Sequence, residues 1–131
     1  MGVFNNLFGG KKEQEKEKKE EIPWIPLNDI AQLAEITSRS NSKTQVIFKH
    51  STTCGISRMV LNMFTGNYGF TKEQIDLYFL DLHAHRAVSD ETGYHFQVIH
   101  QSPQLIVVRN GTVVQHASHG AIAEVSLDRF I

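Results

Sequence analysis

Apolar and polar positions alternate along this chain in two rhythms, one of period two or continuous and one of helical spacing. "TQVIFKH" (44–50) is β-rich and nearly all apolar at its centre, as a buried parallel strand should be. Ile56, Met59, Val60, Met63 and Phe64 then recur at helical spacing, and Gly66 marks the end of that helix. "IDLYFLDL" reads as a second buried strand, and a polar segment from about His85 to Phe96 reads as a helix. In "SPQLIVVRNGTVVQHAS" two β-branched runs flank Asn110-Gly111, which predicts a hairpin. The chain ends in "GAIAEVSLDRFI", a predicted amphipathic helix with Ile122, Val125, Leu127 and Phe130 as its apolar positions. Upstream, "IPWIPL" is extended, because each proline disfavours helix at the residue before it. Asn28 is the expected N-cap of a helix that carries Ile30, Leu33, Ala34 and Ile36 on one face.

Strands that alternate with helices imply parallel pairing, and the closing hairpin adds an antiparallel edge. The expected fold class is α/β, a central mixed β-sheet flanked by helices on both faces. That domain should occupy residues 22–131. Residues 1–21 read as a flexible N-terminal tail. "MGVFNNLFGG" offers a short apolar patch, and "KKEQEKEKKEE" is a charged linker with no apolar residue to give to a core. The sharper reading of the tail is a docking peptide. Its start matches a myristoylation signal only as far as Gly2, since Asn6 stands where Ser or Thr is wanted.

Composition narrows the function classes. With 131 residues, 40% hydrophobic and 21% charged, the chain is long enough for one ordinary core. A net charge of −1 gives no reason to expect nucleic acid or an anionic membrane as partner. One cysteine excludes an intramolecular disulfide framework and suggests a reducing compartment. No apolar run approaches the length of a membrane span. The expected location is the cytoplasm.

The lone thiol, Cys54, falls where the strand ending near His50 gives way to a helix. Unpaired N–H groups and the positive end of the helix dipole there stabilise a thiolate, the reactive form of cysteine. Lys49 and Arg58 would add positive charge, and Arg58 lies one turn after the cysteine. The plain alternative is a small buried hydrophobe, but "HSTTCGIS" is polar and small and suits an exposed loop. His50, four residues before the thiol, either tunes it or ends the strand. Pro103, just before "QLIVVR", is tolerated in trans at the start of a strand; a cis bond there would bring the turn beside another loop. His83-X-His85 follows a strand end, but two histidines without further placed ligands are better read as surface residues than as a metal site.

Taken together, a cysteine at a helix start, a proline opening the next-to-last strand, an "NG" hairpin and "HG" after it resemble the thioredoxin superfamily from about Trp24 to Ile131. Within it, "TTCGIS" followed by "HQSPQLIVVRNG" is similar to the monothiol bacilliredoxins of the bacillithiol system. Their motif is of the Thr-Cys-Pro-Ile-Ser kind. Thr53, Cys54, Ile56 and Ser57 match it, and Gly55 replaces the proline, which makes the loop more flexible. The resemblance implies that Pro103 is cis and packs close to Cys54. It implies an enzyme, a thiol–disulfide oxidoreductase that removes bacillithiol from protein mixed disulfides through Cys54. Ser57 stands where dithiol relatives carry a resolving cysteine; it cannot resolve a disulfide, and either donates a hydrogen bond to the thiolate or is an ordinary polar residue of the first turn. Thr53, Gly55, Ser102 and Pro103 would line the small-thiol groove, with the Ser102 backbone pairing with the bound thiol. Lys49, Arg58 and, less directly, His119 at the start of the last helix are candidates for the malate carboxylates of bacillithiol. No cofactor or metal is expected, bacillithiol being a co-substrate; the partners would be bacillithiolated proteins and a low-molecular-weight thiol.

Two other classes remain open on the sequence. "CGIS" differs by one residue from the Cys-Gly-Phe-Ser signature of monothiol glutaredoxins, which share a [2Fe–2S] cluster using glutathione. The Thr-Val-Pro and Gly-Gly-Asp-like stretches of those proteins are replaced here by "HQSP" and "SHGAI". A non-enzymatic adaptor on the same fold is the third reading.

Overall fold

The computed structural model describes residues 22–131. Both readings of the tail therefore lie outside the described residues. The element order is β1 (Trp24–Pro26), α1 (Gln32–Arg39), β2 (Thr44–His50), α2 (Gly55–Asn67), β3 (Ile75–Asp81), α3 (Arg86–Phe96), β4 (Gln104–Arg109) and β5 (Thr112–Ser118). Two 3₁₀ segments follow, His119–Glu124 and Leu127–Phe130. Among the described residues the strands form one sheet in the order β1-β3-β2-β4-β5. β1 and β2 run parallel to β3, whereas β4 is antiparallel to β2 and to β5. This is the expected mixed α/β sheet.

The central strands are continuous apolar runs because both of their faces are covered. Every residue of β2 is buried. Alternation sends Ile47 to one face, with Leu33 and Ile36 of α1 and Val88 and Phe96 of α3. It sends Val46 and Phe48 to the other, with Val60 and Phe64 of α2 and Ile122 and Leu127 of the 3₁₀ segments. Trp24, Phe48, Phe64 and Phe79 meet there at centroid separations of 5.2–6.3 Å, the range in which aromatic pairs attract. The Asn110-Gly111 turn has φ of 54° and 80°. Positive φ at both central residues is the two-residue hairpin geometry whose twist matches the flanking strands.

Three expectations are corrected. The first helix starts after Asn28: its N-cap is Ala31, whose N–H is held at 2.9 Å by Asp29 Oδ1. The Gln32 side chain turns back to accept the N–H groups of Asn28 and Asp29. Leu33 and Ile36 are buried, but Ile30 and Ala34 are exposed. In α2 the buried stripe is Ser57, Val60 and Phe64. Ile56, Met59 and Met63 face out, 55%, 57% and 45% exposed. The predicted face was rotated because Ser57 is polar and yet fully buried. The terminal amphipathic α-helix is instead the two 3₁₀ segments, interrupted at Val125–Ser126. Ile122 and Leu127 are buried from separate turns, and that pair satisfies the core without a continuous helix.

Candidate functional site

Cys54 is the N-cap of α2, with extended backbone (φ −107°, ψ 121°). It is a free, half-buried thiol. Its N–H donates to Ser51 O at 3.3 Å and its carbonyl accepts the Arg58 N–H at 3.1 Å. The first-turn amides of α2 have no partners within the helix, so the positive end of the dipole lies at the residue that carries the thiol.

The sheet register brings the second half of the site to the same place. Lys49 of β2 pairs with Gln104 of β4. One step outward along both strands, His50 and Pro103 stand level. The Ser102–Pro103 peptide bond is cis. Pro103 is buried and its carbonyl accepts the His119 N–H at 3.0 Å. Ser102 is half-buried, and its buried Oγ has no hydrogen-bond partner among the described residues.

Ser57 is fully buried beneath the loop. Its Oγ accepts the Ser51 N–H at 3.0 Å and lies 2.8 Å from His50 Nδ1. These partners occupy the hydroxyl, and no Ser57–Cys54 hydrogen bond is present. His50 is itself buried, and burial first, then Arg58 and His83, hold its pKa below the usual histidine value against the opposing pull of Asp81. The imidazole behind Ser57 is therefore neutral at neutral pH.

Thr53 is exposed, its Oγ1 3.0 Å from His83 Nε2. Gly55 is the first residue of α2, and a Cβ added there would meet nothing within 4 Å. Arg58 is exposed one turn along α2. Lys49 is a correction. It is fully buried, on the face of the sheet opposite α2, with Nζ 3.1 Å from His100 Nδ1. Burial pulls its pKa down to about 8, partly offset by Asp90. Alternation along β2 explains this: His50 points under α2, so its neighbour must point away. Lys49 has no access to a ligand at the thiol. His119 is exposed with φ of 55°. It heads a six-residue 3₁₀ turn rather than an α-helix, so the expected helix-end anion site is absent there.

The structure adds Ser51 and His100 to the neighbourhood and brings in His83, weighed on the sequence only as half of a metal pair. His83 Nε2 lies 2.8 Å from Ser51 Oγ. No periodicity marks these residues; their only sequence signal was polarity beside strand ends. Among the described residues no three His, Cys, Asp or Glu side chains gather as metal ligands, and no helix is long and apolar enough to cross a membrane.

A lone thiol at a helix start and a cis proline just before the antiparallel strand that pairs with β2 are two features that the sequence resemblance implies. The family model for monothiol bacilliredoxin BrxC matches residues 25–127. The chain belongs to the monothiol bacilliredoxin family. A solved protein described as a candidate oxidoreductase with a thioredoxin fold is 30% identical to this bacilliredoxin-family chain. That alignment covers 82% of this chain and 92% of the other, with a TM-score of 0.67. Thioredoxin from Schistosoma mansoni is 21% identical over 82% of this chain and 95% of its own, with a TM-score of 0.62. Thioredoxin from Malassezia sympodialis is 18% identical over 76% and 81%, with a TM-score of 0.60. The two thioredoxins share the fold with this bacilliredoxin-family member. Its own departure lies at the site, where Ser57 occupies the fourth position of the Cys54–Ser57 turn and no second cysteine exists in the chain.

Proposed function

We propose that this protein is a monothiol thiol–disulfide oxidoreductase that removes bacillithiol from protein mixed disulfides. The observation that carries the reading is the single thiol at the N-cap of α2, in a chain of this family that has no resolving cysteine. The Cys54 thiolate attacks the bacillithiol sulfur of a protein–S–S–bacillithiol. The protein thiolate leaves and takes a proton from water, and Cys54 becomes disulfide-bonded to bacillithiol. A second low-molecular-weight thiolate then attacks the bacillithiol sulfur and releases the Cys54 thiolate. Oxidation state balances at each exchange, so no cofactor or metal is called for. Ser57 cannot displace the bound thiol, which makes the second thiol obligatory.

Thr53, Gly55, Ser102 and Pro103 frame the groove in this reading. The partnerless Ser102 Oγ supports it, because a buried hydroxyl without a partner is costly until a ligand supplies one. Arg58 is the exposed cation one turn from Cys54 that suits the malate carboxylates. Its clients are bacillithiolated proteins of the cytoplasm.

The test is to incubate the protein with bacillithiol disulfide and, separately, with glutathione disulfide, and to read intact mass against Cys54→Ala. The expected result is a rapid, Cys54-dependent bacillithiol adduct with little glutathione adduct. A preference for glutathione, or no adduct with either, overturns the reading.

A further inference from the structure

The loop Ser51–Thr53 carries the nucleophile into α2, and its own backbone holds it loosely. Its one internal backbone hydrogen bond at the thiol is Cys54 N–H to Ser51 O, at a long 3.3 Å. The next residue is Gly55. No feature of the fold requires a glycine there: an added Cβ meets nothing within 4 Å, and its φ is not in the left-handed region, which among the described glycines only Gly111 occupies. What the glycine does supply is backbone freedom beside the reacting sulfur.

A side chain from the turn after β3 offsets that freedom. His83 Nε2 is 2.8 Å from Ser51 Oγ and 3.0 Å from Thr53 Oγ1, so one ring nitrogen straddles the loop. His83 is itself anchored. Its N–H and that of Ala84 donate to Asp81 Oδ1 at 3.1 and 3.2 Å. Asp81 ends β3 as the register partner of His50, and Leu82 N–H donates to His50 O at 3.1 Å. The loop is thus tied to the end of the central parallel pair through a single imidazole. We propose that His83 is the positioning residue of the nucleophile: it holds Ser51 and Thr53 and so fixes Cys54 at the head of α2, the ordering that Gly55 leaves unsupplied. The one nitrogen serves both hydroxyls, as acceptor or as a shared N–H donor according to the tautomer.

The proposal rests on the function above for only one of its readouts. Gly55→Pro is the matching perturbation, because proline suits the first position of a helix. Cys54 already has the extended conformation that a residue before proline takes. Wild type, H83A, G55P and G55P/H83A are compared at one pH. The readouts are Cys54 alkylation by iodoacetamide, adduct formation with bacillithiol disulfide, and hydrogen exchange of the Cys54 amide. H83A should slow both reactions roughly tenfold and speed exchange of that amide, the loss expected from removing about one hydrogen bond's worth of order. H83Q, whose amide still reaches the hydroxyls, should stay within about threefold of wild type, whereas the shorter H83N should behave as H83A does. In the G55P background H83A should cost less than about threefold. His83 is exposed, so these variants should fold, and H83N duplicates the loss if H83A does not. Wild-type rates in H83A and H83N, or an equal loss with and without G55P, overturn the proposal. If no chain reacts with bacillithiol disulfide while alkylation follows the stated pattern, the proposed function falls and the positioning role stands.

Discussion

Replacing Lys49 by methionine should stabilise the protein at neutral pH and stop doing so in alkali. Lys49 is fully buried and its only side-chain partner among the described residues is His100 Nδ1. Burial lowers its pKa from 10.5 to about 8. That difference corresponds to about 3 kcal/mol of penalty on the charged form in the folded state. Met keeps the length and apolar stem of the side chain and removes the charge. It also forfeits the bond to His100, worth about 1 kcal/mol. The net expectation at pH 7 is a gain of about 2 kcal/mol for Lys49→Met. The sign reverses with pH for a definite reason. Below pH 8 Lys49 is protonated in both folded and unfolded chains, and the penalty is complete. Between pH 8 and about 10.5 the folded protein releases its proton and the unfolded chain does not, so wild type gains stability as pH rises. At pH 10.5 the variant should have lost its advantage and fall behind by the missing hydrogen bond. Tyr68 and Tyr78, whose pKa values burial pushes up to about 12, titrate in both chains and cancel in the difference. Urea unfolding of both proteins at pH 7, 8.5 and 10.5 measures this difference. A variant that is less stable than wild type at pH 7, or a difference that does not change with pH, refutes the reasoning.

Ser57→Ala should cost about 2 kcal/mol, because the buried Ser51 N–H and His50 Nδ1 both lose a partner. The melting temperature should fall by roughly 8 °C, while bacillithiol adduct formation changes by less than about threefold, since Ser57 does not bond to Cys54; a loss of adduct formation at unchanged stability would contradict that assignment. Asp76→Asn should remove part of the acid sensitivity of the fold. Asp76 is buried against Arg39, Lys43 and Gln45 at 2.9, 3.1 and 2.8 Å. Burial alone would raise its pKa, but the hydrogen bonds from those three residues outweigh it and hold the carboxyl below the usual value. Its stabilisation is complete above pH 3.8 and is lost as pH falls through the lower folded value, so stability measured between pH 5 and pH 2 should decline less steeply in the variant.

The strand and helix order was legible because each central element carries its own period, and the Asn110-Gly111 turn because its backbone demands residues that tolerate positive φ. The position of Cys54 at the head of α2 was legible for the same reason: it is the point where one period gives way to the other. What escaped depended on which way a side chain points. Lys49 is a cation next to a strand end, and sequence alone would place it in water; only the pleat shows that it shares a face with Ile47. Ser57 looks like a solvated first-turn residue, yet it is the fully buried member of α2, and assuming otherwise brought Met59 and Met63 inward. The last twelve residues have helical spacing of apolar positions but need to bury only Ile122 and Leu127, and two short turns achieve that. His83 carries no periodic signal because its partners are hydroxyls 30 and 32 residues away.

The same pleat organises the site. At the end of β2, His50 goes to the α2 face, where it backs Ser57 beneath the thiol, and Lys49 goes to the other face, where it grips His100 in the segment that leads to Pro103. Gln104, the register partner of Lys49, ties the same segment through Nε2 to Ile99 O at 2.9 Å. The last rung between β2 and β4 therefore does two things. It sets His50, the residue from which the loop to Cys54 departs, level with Pro103, because each stands one residue beyond the Lys49–Gln104 pair. It also anchors the approach to that turn from beneath the sheet. A slip of one residue in this pairing would exchange the faces of Lys49 and His50 and remove both supports together. The buried lysine, costly as it is at neutral pH, is accounted for by this anchoring: in Lys49→Met the domain should be more stable and the Ser102–Pro103 turn less well held.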